Sequence, residues 1–240
     1  MRPDGRASNE IRPVSIELSP IKYPEGSALI RMGDTWVLCA ATVEQGVPRW
    51  RRGSGKGWLT AEYALLPRST QERTRRNHIE GGRAQEIRRL IGRSLRRAVD
   101  LSKLGRHMIV VDCDVLQADG GTRTASITGG YVAVALAIRH MVERGKFSED
   151  ILAPPVAAIS LGVVDGKPLL DLNYAEDVRA QVDLNVVMDS QERFIEVQGT
   201  AEGDAIPRET LDELLSLSVP GVQALIRAQR EALARRESQR

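Results

Sequence analysis

The sequence predicts an α+β fold. Two observations carry that reading: each half of the chain presents its strand-like runs first and its helical patterns afterwards, and the strands pair across short turns. A third concerns size. The chain has 240 residues, 42% of them hydrophobic and 28% charged, which suits a globular protein with a sizeable core. We expect a single domain, 1–240, made of two similar halves, about 1–150 and 151–240, with no residue-level repeat between them.

In the first half, Ser27-Ala-Leu-Ile-Arg31 and Thr35-Trp-Val-Leu-Cys-Ala-Ala-Thr-Val43 flank Met32-Gly33-Asp34 and predict a β-hairpin. Residues 49–57 form a glycine-rich basic loop, and 58–66 another strand. Residues 67–82 are polar, basic and aperiodic, which predicts a mobile loop. From Gln85 the apolar positions Ile87, Leu90, Ile91, Leu95 and Ala98 fall at helical spacing. His107–Val115 predicts a buried strand, 117–125 a loop, and Ser126–Glu143 a long apolar helix ending at Gly145. In the second half, Val156–Val163 and Pro168–Leu172 predict a hairpin around Val164-Asp165-Gly166-Lys167, followed by strands at Val182–Met188 and Phe194–Gly199. Two helices are predicted after them, Arg208–Leu217 and Val222–Arg235, separated by Pro220-Gly221.

No uninterrupted apolar run reaches the ~20 residues of a membrane span, and the N-terminus lacks the apolar stretch of a signal peptide. Cys39 and Cys113 lie in apolar runs and read as reduced core residues of a cytoplasmic protein. The formal net charge of +2 conceals an asymmetry: residues 49–106 hold 16 Lys/Arg against 5 Asp/Glu, a net +11. Arginine dominates this block, and its planar guanidinium binds phosphate in a fork and stacks on bases. A polyanion partner is one reading; a solvated helix face with ion pairs is the other.

Three constellations bear on chemistry. The loop Gln117-Ala-Asp-Gly-Gly-Thr-Arg-Thr-Ala-Ser126 precedes a helix. Its glycines allow a sharp turn and a close ligand approach. The helix N-terminus supplies free N–H groups, Thr122, Thr124 and Ser126 supply hydroxyls, and Arg123 supplies a charged fork. On pattern alone this is an anion site or a capped tight turn, and it is not a Walker A loop. Arg83, after Gly81-Gly82, repeats the glycine-then-helix arrangement, although an arginine there ordinarily faces water. Asp177 and Asp183, six residues apart on an extended chain, would share one face of a sheet, and Asp171 would join them if the strand were continuous. Two carboxylates with water and a substrate phosphate suit Mg²⁺, although the residues by themselves favour a pair of turn or surface acids. His78, His107 and His140 have no metal-ligand spacing, and nucleophile-elbow and Cys/His signatures are missing. With two Phe and four Tyr, the chain lacks the aromatic platform of common RNA modules.

At motif level the chain resembles the bacterial ribonuclease PH family from end to end. The resemblance rests on Arg2-Pro-Asp-Gly-Arg6, Gly57-Trp-Leu-Thr-Ala-Glu-Tyr-Ala-Leu-Leu-Pro-Arg68, Arg89-Leu-Ile-Gly-Arg-Ser-Leu-Arg96, Asp112 through Ser126, Asp171-Leu-Asn-Tyr-Ala-Glu-Asp177 and Glu196-Val-Gln-Gly-Thr200. It implies a fold related to a ribosomal-protein domain, with mixed sheets and a left-handed β-α-β crossover. It also implies a phosphate-dependent 3′→5′ exoribonuclease, in reverse a nucleotidyltransferase, that trims tRNA precursors and releases nucleoside diphosphates. By similarity, inorganic phosphate as co-substrate is held by Arg83, Gly121, Thr122 and Arg123, Mg²⁺ by Asp177 and Asp183, and tRNA by Arg68, Arg73 and Arg76. The implied assembly is a hexameric ring, a trimer of dimers. The stretch from Arg76 to Arg83 is shorter than the family's, and Arg75 and Arg88 add charge. Two rival readings are a non-catalytic RNA-binding ring subunit and a hydrolytic nuclease. The joint presence of Arg83, Arg123, Asp177 and Asp183 argues against the first, and the product separates the second.

Overall fold

The computed structural model describes residues 2–75 and 81–237. Nine strands form two sheets. The first contains β1 (Val14–Leu18), β2 (Gly26–Met32), β3 (Thr35–Gln45), β4 (Trp58–Leu65) and β5 (His107–Gln117), in the order β1-β2-β3-β5-β4. The second contains β6 (Val156–Val164), β7 (Lys167–Leu170), β8 (Val182–Asp189) and β9 (Phe194–Ala201), in the order β7-β6-β8-β9. All pairings are antiparallel except β4 with β5. Parallel neighbours need a crossover, and α1 (Gly82–Arg96) lies in the connection between these two. The predicted hairpins are present, with Gly33 and the pair Asp165-Gly166 at positive φ in their turns.

The helix α2 (Thr122–Glu143) occupies the middle of the molecule. It packs on β2 and β3 on one side and on β6 on the other. Its residues Thr124 to Ile138 are all buried, as expected of a helix apolar on every face. By length and hydropathy α2 would reach across a bilayer, but 78% of its apolar window is buried in this core. One hydrophobic core takes residues from both sheets. Cys39 and Cys113 face each other across β3 and β5, both buried and both free thiols.

The structure corrects two expectations about elements. First, α2 begins one turn early, at Thr122, so Thr122, Arg123 and Thr124 belong to the helix rather than to a loop. Second, Pro220 does not split the C-terminal helix: α4 runs unbroken over Arg208–Glu237. Pro-Gly reads as a break because proline removes a backbone donor, but Gly221 serves a close contact instead. A Cβ there would stand 2.9 Å from Leu170 Cδ1. The described part of the 67–82 stretch makes backbone hydrogen bonds. Thr74 N–H donates to Pro67 O at 2.9 Å, and Ala118 N–H donates to Ser69 O at 2.8 Å, with Ser69 buried.

Candidate active site

A cleft of about 680 Å³ lies between the two sheets at the N-terminus of α2, and Arg83, Gly121, Thr122, Arg123, Asp177 and Asp183 all line it. They arrive from four elements. Arg83 stands in the first turn of α1, and Gly121 is the N-cap of α2, with Thr122 and Arg123 following. Asp177 ends the short helix α3 (Tyr174–Asp177), and Asp183 is the second residue of β8. The expected common face of one extended chain for Asp171, Asp177 and Asp183 is therefore wrong. A helical turn intervenes, and the two cleft aspartates meet by tertiary folding. Asp171 is fully buried elsewhere, paired with Arg12.

The anion loop is built by close backbone packing. Gly120 and Gly121 have φ of +74° and +65°, a region that favours glycine. Among the described residues no side chain caps α2, so its first N–H groups lack intrahelical partners and carry the helix's positive end. Buried groups support the loop from behind. Thr35 Oγ1 donates to Gly120 O at 2.6 Å, and Arg12 donates through Nε and Nη2 to Asp171 at 3.0 and 2.7 Å. The hydroxyls do not all face an anion as expected. Thr124 Oγ1 donates back to Gly121 O, and Ser126 Oγ to Thr122 O, both at 2.8 Å and both on buried residues. Only Thr122 is presented to the cleft, in a 2.8 Å hydrogen bond with the Tyr63 hydroxyl.

The N-terminal motif clamps the other wall. Arg2 donates through Nε and Nη2 to the two carboxylate oxygens of Glu176, each at 2.8 Å, and to the carbonyls of Leu170 and Asp171 at 2.9 Å. Glu176 completes a capping box with Asn173 at the start of α3. Arg6 Nη1 donates to Asp171 O at 3.0 Å as well, so Arg2 and Arg6 are structural and fix the segment that carries Asp177.

The electrostatics of the two aspartates differ from those of surface acids. Burial raises the Asp177 carboxyl above the ordinary aspartate range, opposed by Arg83, Arg123 and Arg12. Burial also raises Asp183, helped by the neighbouring Asp177 charge and opposed by Arg123 and Arg83. Two partly buried carboxylates that repel each other beside two arginines supply hard oxygen donors of the chemical kind Mg²⁺ takes, one Asp183 oxygen also accepting from Asn185 Nδ2 at 3.3 Å. Among the described residues there is no cluster of three or more His, Cys, Asp or Glu that could hold a metal.

Several cleft residues escape sequence reasoning. Tyr63 holds Thr122. Ser160 and Asn185, register partners on β6 and β8, also line the cleft, and among the described residues the buried Ser160 hydroxyl has no hydrogen-bond partner. Single polar residues inside apolar strands carry no spacing signal. Of the expected RNA-contacting arginines, Arg68 and Arg73 are exposed and outside the cleft lining, Arg75 lines it, and Arg76 lies outside the described residues. Part of the basic block is used internally: Arg93 pairs with Glu196, Arg88 with Glu62, and Arg96 lies over the Trp58 ring at 4.4 Å.

Comparison with known proteins decides the family. Residues 10–139 match the model of the 3′ exoribonuclease family, domain 1, and residues 154–220 match domain 2 of the same family. The chain belongs to the 3′ exoribonuclease family. Curated relatives named ribonuclease PH include one from Corynebacterium efficiens, 56% identical over 97% of this chain and 96% of its own length. Another, from Crocosphaera subtropica, is 53% identical over 97% of this chain and 98% of its own length. Among solved structures, the rice (Oryza sativa) Rrp46 crystal structure superposes with a TM-score of 0.78 at 21% identity, covering 95% of this chain and 98% of that one, and supports the fold. The Archaeoglobus fulgidus exosome with RNA bound to the active site aligns with a TM-score of 0.76 at 26% identity, over 97% of this chain and 92% of that one. As a member of this family matched over 97% of its length by ribonuclease PH relatives, the chain is a phosphorolytic 3′→5′ exoribonuclease of the nucleotidyltransferase type.

Proposed function

We propose that the cleft at the start of α2 is the phosphorolytic site and that this exoribonuclease trims 3′ extensions from tRNA precursors. The observation that carries the site assignment is convergence: Arg83, Gly121, Thr122, Arg123, Asp177 and Asp183 come from separate elements to line one cleft. Inorganic phosphate is held by the open N–H groups of α2, Thr122, Arg123 and Arg83. One phosphate oxygen attacks the terminal phosphodiester phosphorus in line, the bond to the 3′ oxygen breaks, and the products are a nucleoside 5′-diphosphate and an RNA one residue shorter. Asp177 and Asp183 would hold Mg²⁺, which supplies charge neutralisation at the scissile phosphate and the leaving oxygen. The rate gain comes from positioning and electrostatics, without a covalent intermediate.

Arg68 and Arg73, which lie outside the cleft lining, are assigned to the RNA backbone together with Arg76. We further read the chain as a single domain of two halves, since one core runs through both, and as a cytoplasmic protein, in keeping with its two free thiols. The hexamer, a trimer of dimers, is carried over from the family resemblance and is tested by sedimentation. The deciding experiment is product analysis on a tRNA with a short 3′ extension, with and without phosphate. Nucleoside diphosphates, formed only with phosphate, are expected; monophosphates released without phosphate refute the reading. Arg123→Ala should raise the phosphate KM by roughly ten- to a hundredfold, the worth of a lost charge-assisted hydrogen bond. Wild-type phosphate dependence in that variant removes Arg123 from the site.

A further inference from the structure

Arg123 does not stand alone. Its Nη1 donates to Gln198 Oε1 on β9 at 3.0 Å and to Glu86 Oε1 on α1 at 3.3 Å, and Gln198 Nε2 donates to the same Glu86 oxygen at 2.6 Å. The three side chains close a triangle between α1, α2 and β9, and so between the two halves of the chain. The chemistry of the corners fixes its direction. An ionised carboxylate only accepts, so the amide must turn its NH₂ toward Glu86, which leaves its carbonyl oxygen to Arg123. Among the described residues only Nη1 of Arg123 is engaged, and the edge formed by Nε and Nη2 remains for an oxyanion.

The seam around this triangle is anchored. Arg93 forks onto Glu196, with Nε at 3.0 Å and a second bond through Nη2. Glu196 lies two residues before Gln198 on the same face of β9, and Arg93 lies two helical turns after Glu86 on α1. The Glu196-Val-Gln-Gly-Thr200 motif therefore supplies two cross-links from β9 to α1, and the second one reaches Arg123.

We propose that Gln198, oriented by Glu86, is a positioning residue that sets the angle of the Arg123 guanidinium for the attacking phosphate. This rests on the assignment of Arg123 to phosphate. A free arginine side chain samples many rotamers and loses that freedom on binding, so fixing it beforehand favours the bound state. Loss of positioning then appears as weaker phosphate binding, while turnover at saturating phosphate is retained.

The test is steady-state phosphorolysis by the full chain at saturating RNA with phosphate varied. Gln198→Ala should raise the phosphate KM about tenfold, the effect of one lost hydrogen bond to a charged group. Its kcat should stay within about twofold of wild type, the pattern of lost uniform binding. Gln198→Met, which keeps the length of the side chain but not its amide, should match Gln198→Ala and serves if the alanine variant folds poorly. In an Arg123→Ala background, Gln198→Ala should add nothing, because a positioning residue has no effect without the group it positions. An unchanged phosphate KM in both Gln198 variants, an equal fall in kcat, or effects additive with Arg123→Ala would overturn the inference. If Arg123→Ala alone leaves phosphate dependence unchanged, the phosphate assignment fails first. If Arg123→Ala raises the KM and the Gln198 variants do not, only the positioning role fails.

Discussion

Replacing Gly120 with alanine tests how the anion loop and the aspartate segment depend on each other. Gly120 sits at φ +74°, and a Cβ there would stand 2.6 Å from Leu172 O, 2.8 Å from Asn173 C and 3.0 Å from Tyr174 N. All three are backbone atoms of the link from β7 to α3. That link cannot retreat freely: Arg2 holds the Leu170 and Asp171 carbonyls, Arg12 holds the Asp171 carboxylate, and Tyr174 N–H donates to Asp119 Oδ1 at 3.2 Å. The positive φ costs an L-residue roughly 1–2 kcal/mol. Forcing an atom into packed surroundings costs about 1–3 kcal/mol more. Together they give about 2–5 kcal/mol, a large share of the ~5–15 kcal/mol that typically holds a domain folded. Gly105 provides the control, since it has φ +60° and nothing within 4 Å of an added Cβ. Gly105→Ala should therefore show only the conformational cost. Gly121→Ala should fall between, because its new Cβ meets side-chain atoms, Arg12 Nη2 at 3.0 Å and Thr124 Oγ1 at 3.2 Å.

The assay is urea unfolding of the three variants and the parent at one protein concentration, with phosphorolysis measured on the same preparations. Gly120→Ala should be the least stable and should lose turnover, because the displaced segment carries Asp177. Gly105→Ala should keep its activity. If Gly120→Ala unfolds within about 0.5 kcal/mol of Gly105→Ala, an ordinary surface effect, the packing argument is refuted.

Two further outcomes follow from the clamp and from the basic surface. Burial works against the Glu176 charge, but hydrogen bonds from Arg2 and the Asn173 backbone hold its carboxyl below the ordinary glutamate range. A group depressed in the folded state contributes stability above its unfolded pKa and loses it as pH falls through its folded pKa. Glu176→Gln should thus destabilise at neutral pH by about 3 kcal/mol, the scale for breaking a buried pair, with the gap to wild type closing as pH drops below the ordinary glutamate range. A pH-independent gap in unfolding midpoints would contradict this. On the surface, Arg73 is exposed and outside the cleft. Arg73→Ala should weaken RNA binding with little change in phosphate KM and reduce the slope of log K against log salt by about 1, one phosphate contact; an unchanged slope in filter-binding titrations removes Arg73 from the RNA path.

What sequence alone determined were the features that local physics imposes. Local apolar patterning and helical periodicity placed the strands from β2 onward and α1, and Gly33 and Asp165-Gly166 placed the hairpin turns, because these patterns depend only on nearest neighbours along the chain. The glycine pair before Thr122 was legible for the same reason: positive φ is a property of the residue itself. What only the tertiary structure decided were the meetings of distant residues. Asp177 and Asp183 share a cleft although one ends a helix and the other sits in a strand after an intervening turn, Arg12 took Asp171 out of any metal set, and Gly221 turned out to serve the packing of Leu170 against an unbroken helix. The job of Gln198 was likewise invisible in sequence, since a glutamine on an edge strand gains meaning only from the carboxylate and the guanidinium that folding brings to its two ends.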